Sequence, residues 1–85
     1  MASHTPRFTS KFLRDTKKLK SSLRHQLEKA VLEIIEEPRH GKPLTQNLKG
    51  LWSKRVEHFR VIYEIRGKEI LFYAFEHRSK VYKRL

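Results

Sequence analysis

Residues 50–65, GLWSKRVEHFRVIYEI, decide how the chain is read. Trp52, Lys54 and Val56 alternate with Ser53, Arg55 and Glu57, and Phe59, Val61, Tyr63 and Ile65 alternate with Arg60, Ile62 and Glu64. Period-two patterning of this kind describes two strands. A two-residue loop at Glu57-His58 sets the register of an antiparallel hairpin. Val56 then faces Phe59, Lys54 faces Val61 and Trp52 faces Tyr63, on the face assigned to the core. The opposite face sets Arg55 against Arg60, where like charges repel. Paired guanidinium groups stop repelling when an anion sits between them, and a phosphodiester matches their planar donor geometry.

A second turn at Gly67-Lys68 places glycine at the first central position, as a type II′ turn prefers, and pairs Arg66 with Glu69. It starts a strand running to about His77. In an unbroken register Ile65, Tyr63 and Val61 meet Ile70, Phe72 and Ala74 on the core face. Ile62 meets Tyr73 and Arg60 meets Phe75 on the other face, which also receives His77. Upstream, PRHGKPLTQNLKG (residues 38–50) holds two prolines and two glycines and predicts an irregular connector.

Before the connector, Ser21 or Ser22 caps a helix whose Leu23, Leu27, Ala30, Val31, Ile34 and Ile35 form one stripe, with Arg24 and the acids facing outward. Pro38 ends it. Thr9 caps a shorter helix from Ser10 to Leu19 that turns Phe12, Leu13, Thr16 and Leu19 inward, and Arg7-Phe8 ends a short strand ahead of it. The expectation is a single α+β domain over residues 1–85, with two N-terminal helices covering one face of a small antiparallel sheet and the other face open.

Among 85 residues, 20 lysines and arginines oppose nine acids, a net charge of +11 spread along the chain. Such an excess points to a polyanion, with nucleic acid ahead of an anionic membrane surface or an acidic protein. With no cysteine, disulfides and thiolate zinc sites are excluded. No apolar run reaches signal or membrane-spanning length, so the expected location is cytoplasmic, with no membrane partner. The five histidines show no metal-ligand spacing, and no carboxylate pair is set to bind magnesium, so neither a metal site nor a cofactor is expected.

The open face therefore carries Arg55, Arg60, Tyr73, Phe75 and His77, with Arg78, Lys80 and Tyr82 just beyond the last strand. Cations interleaved with rings suit RNA, because the cations take phosphates and the rings stack unpaired bases. An imidazole beside Arg78 suits proton transfer. The plainer reading makes the arginines a solvated sheet face and each ring a packing residue.

LKGLWSKRV, FRVIYEI and HRSKVY, in that order and after FTSKFLRD, resemble the RelE/ParE superfamily of type II toxins. The resemblance implies a strand, two helices and three further strands, and a cognate antitoxin as partner. RelE-like and YoeB-like members cut messenger RNA in the ribosomal A site without metal, whereas ParE-like members inhibit DNA gyrase. The open-face cations favour the metal-independent endoribonuclease as the expected function, with the gyrase inhibitor second and a non-catalytic basic RNA-binding module the remaining alternative. The resemblance assigns Arg60 and Arg78 as electrostatic stabilisers and His77 and Tyr82 to proton transfer. Arg55, Lys49, Lys54, Tyr73, Phe75 and Lys80 are the expected RNA contacts. Lys42 stands near the place where YoeB-like members carry a glutamate base, and Ser53 stands where some RelE-like members carry lysine.

Overall fold

The computed structural model describes residues 4–80; Tyr82, one of the expected site residues, lies outside that range. Strand β1 (Thr5–Phe8) leads into helices α1 (Ser10–Thr16) and α2 (Ser21–Glu36). The connector contains a two-residue strand β2 (Lys42–Pro43), and β3 (Leu51–Val56), β4 (Phe59–Arg66) and β5 (Glu69–His77) follow it. The strands lie in the order β1-β5-β4-β3-β2, and β1 runs parallel to β5 while the other pairs are antiparallel. The expected all-antiparallel sheet is thus mixed: from β1 at one edge the two helices carry the chain to β2 and β3 at the other edge, and two hairpins then bring β5 back beside β1, pointing the same way.

Thr9 caps α1 as expected, its hydroxyl accepting the Phe12 N–H at 3.0 Å. The helix stops at Thr16 and not at Leu19. The Thr16 hydroxyl donates back to the Phe12 carbonyl, and the Arg24 guanidinium takes the Thr16 and Lys17 carbonyls at 2.7 and 3.2 Å. Arg24, expected to face solvent, therefore closes the C-terminal end of α1. Leu13 is 57% exposed and is not a core residue. In α2 the flanking residue is Lys20, without a side-chain cap, and neither Ser21 nor Ser22 serves as one. Its stripe is as expected: Leu27, Ala30, Ile34 and Ile35 are buried against Val61, Tyr63, Ile70 and Phe72 of the sheet. Each of the larger apolar side chains among them contributes roughly 1.5–3 kcal/mol when removed from water.

The β3–β4 hairpin has the expected register, with Trp52 opposite Tyr63, Lys54 opposite Val61, Arg55 opposite Arg60 and Val56 opposite Phe59. Its turn holds Glu57 at φ 56°, a left-handed conformation that strains a residue with a side chain. Gly67 takes the same region at φ 58° without that penalty. The β4–β5 pairing matches only from Arg66 to Tyr63. A bulge then leaves Tyr73 without a partner, so that Ile62 faces Ala74, Val61 faces Phe75, Arg60 faces Glu76 and Phe59 faces His77.

The second face of the sheet is not open. Leu44 and Leu48 fold back from the connector onto Ile62 and Ala74, and Leu51 and Tyr73 pack beside them. The Leu44 N–H donates to the Leu51 carbonyl at 2.9 Å and closes this small second core. On the other side of the connector Gly41 leaves room for Tyr63, whose hydroxyl donates to the Pro38 carbonyl at 2.6 Å. A Cβ at Gly41 would overlap that hydroxyl.

Candidate functional site

The cover formed by Leu44 and Leu48 stops short of one end of the sheet, and there the cations collect. Arg55 and Arg60 are cross-strand partners at the end of the β3–β4 hairpin, Arg55 exposed and Arg60 half-buried. The Arg55 Nε donates to the Glu57 carbonyl at 3.0 Å, which ties that side chain to the turn. An Arg60 guanidinium nitrogen donates to the hydroxyl of Ser53, itself 1% exposed, at 3.2 Å. One donation leaves most of the five guanidinium N–H groups available. Lys42 pairs with Ser53 across β2–β3, which puts a further cation on this face. Nothing in the local pattern of the connector marked it, since the pairing rests on only two residues.

The end of β5 joins the same corner. The Arg78 N–H donates to the His58 carbonyl at 2.9 Å, and the His58 and His77 rings stack with centroids 6.4 Å apart. His77 also meets the Phe59 ring edge-on at 5.6 Å. Its Nδ1 lies 2.8 Å from the Ser79 hydroxyl and 3.3 Å from the Ser79 backbone nitrogen. A backbone N–H only donates, so Nδ1 is the acceptor and the neutral ring carries its proton on Nε2. His77, Arg78, Ser79 and Lys80 are all exposed.

The bulge redistributes the other expected contacts. Phe75 is not on the open face: it is 2% exposed, stacked on Phe59 at 5.0 Å in the helix-side core. His77 shares the face of Phe59 and not that of Arg60, for the same reason. Tyr73 stays on the second face, but packs against the connector's core. Lys54 points to the helix side, where it pairs with Glu33 at 3.4 Å. Lys49 is exposed in the connector. Arg55, Arg60, His77 and Arg78 all lie at the same end of the sheet, Arg55 and Arg60 on the second face and His77 on the face of Phe59, while Tyr73, Phe75 and Lys54 are placed elsewhere.

Beside this corner lies a cluster that sequence reasoning missed. Lys11 bridges Asp15 at 2.8 Å and Glu76 at 2.9 Å. Burial works against the Lys11 charge, but hydrogen bonds and attraction from Asp15 and Glu76 outweigh it and hold its pKa above the ordinary lysine range. The i,i+4 spacing of Lys11 and Asp15 was readable in the sequence. Their joint approach to Glu76, 61 residues beyond Asp15, was not. Among the described residues no three histidine, cysteine or acidic side chains come together as a metal-holding group. No helix among them is long and apolar enough to cross a membrane.

Comparison with known proteins places the chain in a family. The family model described as the ParE toxin of the parDE type II toxin-antitoxin system matches residues 7–82. The chain is 34% identical to Toxin RelG of Mycobacterium tuberculosis, covering 95% of this chain and 98% of that protein. It superimposes on the RelBE2 toxin-antitoxin complex of the same organism with a TM-score of 0.80 at 30% identity, over 93% of this chain and 95% of the matched one. The intact Escherichia coli RelBE complex shares the fold, with a TM-score of 0.73 at 21% identity over 87% and 95% of the two chains. The chain belongs to the RelE/ParE superfamily of type II toxin-antitoxin toxins.

Proposed function

We propose that this toxin is a ribosome-dependent messenger RNA endoribonuclease that works without metal, and that a cognate antitoxin restrains it in the cytoplasm. The observation that carries the reading is the Arg55–Arg60 pair, two arginines directly opposite each other across the β3–β4 hairpin at the uncovered end of a basic sheet. Names of relatives that are toxins in toxin–antitoxin complexes support the partner. In the reaction the substrate 2′-oxygen attacks the adjacent phosphorus and the bond to the 5′-oxygen breaks. The products are a 2′,3′-cyclic phosphate and a 5′-hydroxyl. The 2′-hydroxyl proton passes to a base and the leaving 5′-oxygen gains a proton. Arg60 and Arg78 stabilise the charge that builds on the phosphate, and Arg55, Lys49 and Lys80 hold the RNA backbone. His77 is assigned donation from Nε2, which its bonds to Ser79 favour. Tyr82 is assigned to proton transfer on the resemblance alone.

A second reading, a ParE-like gyrase inhibitor without nuclease activity, draws on the description of the matching family model. One assay separates the two: EDTA-treated protein on ribosomes programmed with several A-site codons, followed by analysis of RNA ends. The ribonuclease reading expects cleaved messenger with 2′,3′-cyclic phosphate ends. Intact messenger at every codon, with DNA damage accompanying growth arrest, overturns it in favour of gyrase.

A further inference from the structure

Where β1 stops at Phe8, the outer edge of β5 loses its strand neighbour, and α1 takes over. The Thr9 hydroxyl donates to the Tyr73 carbonyl at 2.7 Å, and Asp15 Oδ2 accepts the Phe75 N–H at 3.0 Å. These two bonds bracket the bulge, whose extra residue is Tyr73. Lys11 then links the same Asp15 oxygen to Glu76, the cross-strand partner of Arg60. The Asp15 and Glu76 side chains are only 18% and 7% exposed, so screening by water is weak there.

We propose that Asp15 and Lys11 are positioning residues of the basic corner: they hold β5 in its bulged register and keep the Glu76 carboxylate engaged away from Arg60. A one-residue slip carries every following side chain to the opposite face. Without the bulge Arg60 faces Phe75, and His77 leaves its place opposite Phe59. With the bulge a carboxylate stands next to Arg60, and an unneutralised carboxylate there competes with RNA phosphate for the guanidinium. Lys11 removes that competition. The phosphate half of this inference rests on the ribonuclease reading, and the register half stands apart from it.

Two sets of variants test it. In Asp15→Ala, NMR should show loss of the contact between the Phe59 and His77 rings and faster exchange of the Phe75 amide, whereas Asp15→Asn, which retains an acceptor oxygen, keeps both. A folded Asp15→Ala with the contact and slow exchange intact overturns the clamp. Lys11→Met should slow single-turnover cleavage by on the order of 10- to 100-fold, as misplacement near a reacting centre does, with ribosome affinity nearly unchanged. Lys11→Met combined with Glu76→Gln should regain most of that rate. Wild-type rate in Lys11→Met, or no recovery in the double variant, overturns the role of Lys11, and this arm decides if Asp15→Ala does not fold. If the wild type cleaves no RNA, the ribonuclease reading falls, and the NMR arm still decides the register.

Discussion

Arg60 sits in two relationships that work against each other. It faces Arg55 across the hairpin, and it donates to a buried Ser53 hydroxyl. Arg60→Ala relieves the repulsion, worth roughly 0.2–1 kcal/mol, and removes the hydrogen bond, worth roughly 0.5–1.5 kcal/mol, and the two largely offset each other. Thermal unfolding should therefore shift little, while single-turnover cleavage falls by about 2–4 kcal/mol of transition-state stabilisation. Equal cleavage by both proteins would remove Arg60 from the mechanism. Tyr63 gives a test of the core at the same scale. Burial pushes its phenol up to about 12, against a smaller opposing effect of the Gly41 backbone. An unfolded chain releases that proton near the ordinary tyrosine value of about 10. Between those values the folded state binds more protons, so stability is complete below the lower one and falls as pH rises through the higher one. The loss is on the order of 3 kcal/mol. Chemical denaturation across this alkaline window should show it, and Tyr63→Phe should lack that component.

At the scale of the element, the β3–β4 hairpin and β5 differ in how much their sequences reveal. The hairpin register was legible because a two-residue loop permits one pairing and because Ser53, Arg55 and Arg60 contrast with Val56, Val61 and Tyr63. In β5, EILFYAFEH is apolar on both sides of the pleat, since both faces are covered. Alternation then carries no signal of a slip, and the bulge at Tyr73 passed unseen. The connector was legible as irregular, but the duty of its leucines was not. Leu48→Ala should cost about 2–5 kcal/mol in denaturant unfolding, because it opens a cavity over Ile62 and Ala74. A cost within about 0.5 kcal/mol, as for a solvated surface residue, would return the second face to the open state expected from the sequence.

For the whole molecule, charge is the governing quantity. A net charge of +11 on 85 residues raises the potential over the entire surface and concentrates anionic partners there. The acids that exist are largely engaged: Glu33 with Lys54, Glu69 with Arg7, and Asp15 and Glu76 with Lys11. Association with ribosomes and with the antitoxin should both weaken with salt, ribosome binding by on the order of 1,000-fold between about 50 and 200 mM if some six phosphates are contacted. Sedimentation of the protein with ribosomes at several salt concentrations measures this. Binding that ignores salt would point to an apolar docking surface in place of the cationic corner.

The sequence by itself determined the two helices, both hairpin turns, the apolar stripe of α2, the Arg55–Arg60 pairing and the basic character of the molecule. These follow from local rules: side-chain period, loop length, capping and summed charge. Tertiary structure alone decided that α1 would pin the edge of β5 beyond the end of β1. It also decided that a bulge would send Phe75 to the core and Glu76 to Arg60, and that Leu44 and Leu48 would roof the second face. Each of these depends on backbone and side-chain groups far apart in the chain competing for the same partners, and a contest of that kind leaves no periodic trace in the residues that take part in it.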